Sequence, residues 1–580
     1  MKKYILMFAA SMMLVSCVDT HIIPDDKTVD EDFWKTKEDV SAMVNAAYAA
    51  MAANDVLIRL LIWGDFRSDE FVRAATPTGD IPDALAEIAA VNIQTTNTFA
   101  EWASVYATIN RCNIVLERAK EVMSIDPNYT LGDYQVDCSQ MLALRALCYF
   151  YLVRNFRDVP YIDYAYTKSS QDRMVTQSAP DVVIDHCIAD LEEAAKSPIS
   201  ARSYNTSEWR RVGWLTDDGI NAILADIYLW RASVKHSQAD YQRCVEYCDK
   251  VIESKKSQHV RGRNEIVAKE YPLADAADAY IDIFFNQNAE ESIFELQSRS
   301  NTAVGTYLYK HQNAADASGE GFIKATQIFG GAATSNSSVG FNQVFSNIDL
   351  RYYAACYLPS DGEESYDVRK MISENAITNK TAVKAREAYG SGGLNRNCII
   401  YRLTDLMLMK AEALVQQVDT TLDADTQAEL LREPFTLVQT VNTRSLYREN
   451  LSDSLKWNTF KGYNKDQMEL LVMEERLREL CFEGKRWYDL LRYNYRHVEG
   501  IDYSRTLAEI NDADEPFVAN YSEMLNLATR GRGAEASGVQ AKMANECYLY
   551  MPVPNADIIV CPVLRQNPVY KETAEYEKNY

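Results

Sequence analysis

Histidine is scarce, and the motifs of common hydrolases and metalloproteins are missing. Only six histidines are scattered through 580 residues, with no His-Glu-x-x-His pair and no second cysteine or histidine pair at zinc-ligand spacing. A Gly-x-Ser-x-Gly elbow and a D-x-[DN]-x-[DN]-G calcium loop are absent too. These absences give no support for a hydrolase, a cofactor or a metal site, while the acidity leaves a bound divalent cation open. Beyond residue 17, every long apolar stretch is interrupted by charge, so no later membrane span is expected. Positive charge is in deficit, with 60 Lys and Arg against 83 Asp and Glu and a net charge of −23. No basic run interleaved with aromatics offsets that balance, which argues against nucleic acid as a partner.

Complete disulfide pairing is excluded as well, because twelve cysteines become an odd number once Cys17 is set aside. Cys244 and Cys248 sit four apart in a helical pattern and read as small buried apolar residues, as do Cys148, Cys398 and Cys481. The connectivity of any bridge stays open.

What is present begins at the N-terminus. Lys2 and Lys3, an apolar run from Tyr4 to Val15, and Leu14-Val15-Ser16-Cys17 form the pattern of a bacterial lipoprotein signal. Cleavage before Cys17 would leave it to be acylated, and acyl chains hold at about 0.8 kcal/mol per buried CH₂. A polar stretch from Asp19 to Asp32 suits a tether. The 36 tyrosines and eight tryptophans offer flat apolar faces with polar edges; at helical spacing they read as core, so only those in loops count as binding candidates.

Helical periodicity dominates the body. Val40, Val44, Ala47, Tyr48 and Met51 make one stripe, Trp102, Tyr106, Ile109, Asn113 and Leu116 another, and Gln135 to Asn155 a third. Ile220 to Val234 and Tyr241 to Ile252 form a pair of tetratricopeptide-repeat size, joined through Ser237 and Asp240 at capping-box spacing. Later helices are predicted over Tyr401 to Gln417 and, unbroken, over Gln467 to Tyr493. Glu291 to Gln297 alternates like a strand. Trp63 and Trp102 read as core.

Four segments resemble the SusD/RagB-like family of outer-membrane nutrient-binding lipoproteins: Asp32 to Asp39 (DFWKTKED), Leu144 to Pro160 (LRALCYFYLVRNFRDVP), Glu475 to Asp489 (ERLRELCFEGKRWYD), and Pro552-Val-Pro554 followed by Gln566-Asn-Pro568. The resemblance implies a mostly α fold, a tetratricopeptide-like helical repeat scaffold carrying an irregular, loop-rich ligand-binding region. It also implies a non-catalytic protein, lipid-anchored and exposed on the cell surface. Such a protein captures oligosaccharides, or in some members peptides, for a SusC-type TonB-dependent transporter; a repeat scaffold without a small ligand is the bland alternative. The chain is divided accordingly into a signal peptide (1–16), a tether (17–35), two scaffold parts (36–260 and 400–495), an irregular ligand-face region (261–399) and an irregular C-terminal region packing on the scaffold (496–580).

Read from the residues alone, the same motifs are structural. Met473, Leu477, Leu480, Gly484, Trp487 and Leu491 form one stripe, with Gly484 admitting a neighbouring backbone. Glu474 with Arg478 and Lys485 with Asp489 are predicted i,i+4 pairs. Glu475, Glu479 and Glu483 read as a solvated face or as partners of Arg476, Arg478 and Arg486, not as a catalytic carboxylate pair. Arg145, Arg154 and Arg157 are expected to fix the helix end before Asp158 and Pro160.

A saccharide site needs exposed aromatics and planar polar groups. In the family the ligand face draws on the loop after the first helices and on the region between the helix pairs. The polar candidates in the first are Asp69, Glu70, Arg73, Asn92 and Asn97; the aromatic candidates in the second are Tyr307, Tyr309, Phe322 and Phe329.

Overall fold

A computed structural model describes residues 33–73, 79–168, 170–205, 207–258, 270–275, 278–297, 322–329, 344–346, 348–356, 368, 370–371 and 396–570. The scaffold opens with α1 (Lys37–Met51), started by a reciprocal capping box between Thr36 and Asp39 and burying Val40, Val44, Ala47 and Met51. Next come α2 (Asn54–Leu61), α3 (Asp80–Ala89), α4 (Ala103–Ile125) and α5 (Leu131–Phe156). Thr130 and Asp133 cap α5 in the same reciprocal way, and from Ser139 to Phe156 all its side chains but Leu142 are buried. That helix is apolar enough to cross a membrane by length and composition, but its apolar surface is spent on the core.

Helices then pack in succession. α1 lies on α4, α4 on α5, and α5 on α6 (Pro180–Ala194). The predicted repeat-sized pair is α7 (Asp217–Lys235) and α8 (Gln238–Gln258), with the Asp240 amide donating to Ser237 Oγ at 3.2 Å. α8 continues onto α9 (Leu403–Gln416), which meets α10 (Arg432–Arg444) and α11 (Lys465–Leu480). α12 (Arg486–Arg496) turns back onto α7. The result is a mostly α, tetratricopeptide-like stack around one continuous core cluster. After α12 the chain runs in short helices, the longest Ala536–Met543.

Among the described residues three two-stranded ribbons decorate this stack: β1 (Phe71–Arg73) with β5 (Ile323–Ala325), β2 (Val159–Pro160) with β3 (Gln177–Ser178), and β4 (Ser292–Leu296) with β6 (Cys398–Arg402). β4 is the strand predicted from alternation, yet all five of its residues are buried, because α7 and the neighbouring turn cover its outer face. The eleven cysteines in the described residues are free thiols. Cys148, Cys244, Cys248 and Cys481 are fully buried, as small apolar residues should be, while Cys398 is half-buried.

Two sequence expectations are corrected around the 475–489 motif. The helix predicted over 467–493 is broken between α11 and α12 at Cys481–Lys485, where Phe482 (φ 65°) and Gly484 (φ 75°) adopt left-handed backbone. Gly484 does admit a neighbouring backbone: a Cβ on Gly64 would sit 2.0 Å from its carbonyl oxygen. Nor are the three glutamates solvated, since Glu475 and Glu479 are at most 3% exposed and the Glu483 side chain is 1% exposed. Glu479 pairs with Arg351 (2.9 Å), Arg402 (2.5 Å) and Arg444. Glu475 meets Arg351 and Arg478, and Glu483 meets Arg402 and Lys370. Burial alone would raise the Glu479 carboxyl, but the three guanidiniums hold it well below the ordinary carboxylate range. The predicted i,i+4 pairs do not form, and their members find other partners. Lys485 meets Asp405 at 2.7 Å, Asp489 meets Arg476 and Arg492, and Glu474 meets Arg530.

In the 144–160 motif only Arg157 fixes the helix end as expected, while Arg145 and Arg154 instead tie α5 to its neighbours α6 and α7. Arg157 ends α5 at φ 64°, ion-paired to Asp158 at 2.9 Å and donating to the carbonyls of Asp502 and Arg505. Arg154 pairs with Asp226 and Arg145 with Asp190.

Candidate functional site

The first loop leaves α2 through a single π-turn, Ile62–Phe66, whose five residues are all buried. Trp63 is core, its indole N–H donating to the Phe99 carbonyl at 2.7 Å; Trp102, 4% exposed, donates to Asp557. Asp65 reaches across the molecule to the N-terminus of α12 and accepts from the amides of Gly484, Lys485 and Arg486 at 2.6 to 3.0 Å. It thereby satisfies donors that a helix start leaves open. Two residues on, the Arg67 guanidinium stacks 4.6 Å over Trp487 and donates to the Leu549 carbonyl.

β1 carries this loop into its antiparallel pairing with β5, Phe71 opposite Ala325 and Arg73 opposite Ile323. Phe71 and Phe329 both rest on Phe482, with ring centroids 5.1 and 4.8 Å apart. Below the ribbon, the Thr326 amide and hydroxyl donate to the carbonyls of Glu70 and Asp69. A third segment closes over the same place. Arg532 donates to the carbonyls of Ser68 and Ala89, Lys542 to that of Ala90, and Gly531, at φ 76°, lies against Thr326. Segments 65–73, 79–97, 322–329 and 529–542 therefore meet on one buried base.

The candidate residues divide on this base. Asp69 is fully buried, bound to Arg486 at 2.9 Å and to Arg530 at 2.6 Å. Glu70 is also buried, one oxygen accepting from the Phe482 amide. Asn97 is a staple, donating to the Ala84 carbonyl and to Glu87 and accepting from the Phe99 amide. Phe329, 2% exposed, is core. These four build the base and have no surface to offer a ligand, which corrects their reading as contact residues. Arg73 and Phe322 are half-buried at the outer end of the ribbon, and Asn92 is exposed beside the left-handed Val91. Tyr307, Tyr309 and Cys17 lie outside the described residues. Sequence reasoning passed over Arg530 and Arg532; the Arg530-Gly-Arg-Gly533 cluster was their visible signal.

Charge in the base is finely set. Burial would raise the Asp69 carboxyl, but Arg486 and Arg530 outweigh it and hold it at about 2. Asp65 and Glu70 go the other way. Burial pushes Asp65 up to about 7 against its three amide donors, and burial with the neighbouring Asp65 lifts Glu70 well above its usual range. The unpartnered Glu70 Oε1 suits a protonated acid. For Asp69 the folded value lies below the unfolded one of about 3.9, so its stabilisation is complete above that and fades as pH falls toward 2. The expected contribution is about 2 kcal/mol. Urea unfolding between pH 5 and 2 should show that loss in the wild type and a flatter profile in Asp69→Asn; equal slopes would count against the assignment.

Among the described residues no group of three or more His, Cys, Asp or Glu is placed to hold a metal ion. What the base offers is a stiff platform on which outer side chains and loops can be displayed.

Residues 291–570 match the protein family described as SusD family, and residues 24–229 match one described as starch-binding associating with outer membrane. Two proteins of Formosa agariphila are related over most of their length. SusD-like protein P38 is 24% identical over 83% of this chain and 89% of its own. SusD-like protein P2 is 25% identical over 85% and 91%. Among solved structures, a SusD superfamily protein from Bacteroides thetaiotaomicron superposes with a TM-score of 0.60 at 20% identity, covering 93% of this chain and 99% of the other. Surface glycan-binding protein A from Bacteroides uniformis gives 0.63 at 20% identity, covering 92% and 100%. At such identities these structures establish a shared fold.

Proposed function

The chain belongs to the SusD/RagB-like family, and from that premise we propose that it is a cell-surface lipoprotein that captures oligosaccharides and passes them to a SusC-type TonB-dependent transporter, with no catalysis of its own. The observation that carries the reading is the β1–β5 ribbon. It joins, on a buried ion-paired base, the two segments on which the family's ligand face draws. A second support is that one protein of the same fold is named a surface glycan-binding protein. Outer-membrane association accords with the description of the family matched by residues 24–229. Lipid attachment is assigned to Cys17, and the polar residues after it provide freedom to move over the transporter.

Two arms test this. Protein lacking the first 17 residues, offered to glycan and peptide arrays, is expected to retain a glycan and leave it chemically intact. Retention of peptides alone would make it a peptide-capturing lid, and turnover of the glycan would end the non-catalytic reading. In the native organism, Cys17→Ser is expected to release a folded, binding-competent protein from the membrane fraction and to abolish uptake of that glycan. Normal uptake by the released protein would rule out a role for the anchor.

A further inference from the structure

Away from the β1–β5 ribbon, the turn before α7 carries the single exposed tryptophan among the described residues, Trp209 at 39%. A singly exposed apolar side chain is ordinary by itself; what sets this one apart is the company of flat and polar groups around it. Trp209 is held firmly. It begins the one-turn helix Arg210–Gly213, its carbonyl accepts from the amides of Val212 and Gly213, and its ring edge lies on Gly213. A Cβ at Gly213 would come within 2.6 Å of that ring and 2.7 Å of Gln297. Below, the buried Arg211 ties the turn to the Ala289 carbonyl at 2.9 Å.

Other flat groups stand around the ring. Trp214 meets Trp209 edge-on at 6.0 Å, and Tyr204 meets Trp214 edge-on at 6.2 Å. The Arg210 guanidinium lies 5.1 Å from the Trp209 centroid and 5.5 Å from that of Trp214, paired to Glu208 at 2.7 Å. That pair is 43% and 33% exposed, so its donors and acceptor are within reach of a ligand. The Arg210 guanidinium places positive charge beside both rings, which argues against capture of a cationic group. The acidic chain argues against phosphate-bearing ligands. An apolar flat face, edged by a planar donor and a carboxylate acceptor, matches a pyranose ring with its hydroxyls at the rim.

We propose that Trp209, supported by Trp214 and Tyr204 and edged by Arg210 and Glu208, is an accessory saccharide-binding platform separate from the β1–β5 face. It rests on the oligosaccharide reading above. Gln297, against which Gly213 lies, leads into residues 298–321, and Phe322 at their far end adjoins the ribbon. The two features thus bracket the same stretch of chain.

The experiment uses soluble protein without the first 17 residues, an array of plant, algal and host glycans, and then titration with oligosaccharides cut from a retained glycan. Trp209→Ala is expected to keep the wild-type melting temperature and to weaken binding about tenfold, with Trp209→Phe recovering most of it. The glycan-induced change in tryptophan fluorescence should shrink in both variants. Unchanged affinity in Trp209→Ala, with wild-type retention intact, overturns the platform and leaves the oligosaccharide reading standing. A fall in affinity only in proportion to a lowered melting temperature also overturns it, because the cluster is then packing. No glycan retained by the wild type overturns both.

Discussion

Glu479→Ala is expected to lower the unfolding free energy by about 3–5 kcal/mol, the range for removing one partner of a buried ion pair. The carboxylate is 3% exposed and faces the guanidiniums of Arg351, Arg402 and Arg444. Without it, three cations remain in the interior. Glu291 still serves Arg402 and Arg444, and Asp349 with Glu475 still serves Arg351. These remaining partners make a destabilised protein a more reasonable outcome than an unfolded one. Urea unfolding at pH 7 measures the loss. Lys196→Ala breaks the exposed pair with Glu193 and should shift stability by less than about 0.5 kcal/mol. If the two variants were alike, the buried network would not be what fastens α11 to β6 and α10.

Gly64→Ala is expected to be comparably severe, by sterics instead of charge. A methyl there would lie 2.0, 2.3 and 2.7 Å from the carbonyl oxygen, carbonyl carbon and Cα of Gly484. All three are backbone atoms, so no side chain can swing aside. Relief requires the π-turn to move from the α11–α12 junction, and that movement pulls Asp65 off the three amides it caps. A cost of about 3 kcal/mol or more is expected. Gly462→Ala, where nothing lies within 4 Å, serves as the control and should be neutral or slightly stabilising. A Gly64→Ala protein as stable as that control would mean the two backbones part more easily than their contact implies.

Local pattern carried the scaffold well. The pair α7 and α8 was legible because Ile220, Ile223 and Ile227, then Tyr241, Val245 and Cys248, repeat at helical spacing. β4 was legible from alternation, and Gly484 from its place in an apolar stripe. Most of what escaped has one physical cause: partners far away in the chain. The run Arg67-Ser-Asp-Glu70 looks like an exposed polar cluster until Arg486 and Arg530 arrive from 417 and 461 residues later. Glu475 and Glu479 look solvated until Arg351 is placed beside them from 124 and 128 residues earlier. The break at Cys481–Lys485 was hidden because Leu480, Gly484 and Trp487 keep helical spacing across it.

Those same separations order events in time. Arg67 finds its carbonyl partner at Leu549, 482 residues on, and Asp65 and Asp69 wait for 484–486 and 530. Contacts between such distant parts of a chain form late and slowly. α4 to α8 can assemble from neighbours as soon as they emerge, whereas the base under the β1–β5 ribbon cannot set until nearly the whole polypeptide is available. The ribbon and its base are thus the last part of the molecule to be completed, and a chain cut short after α12 would have a scaffold but lack Arg530, Arg532 and Leu549 to finish it.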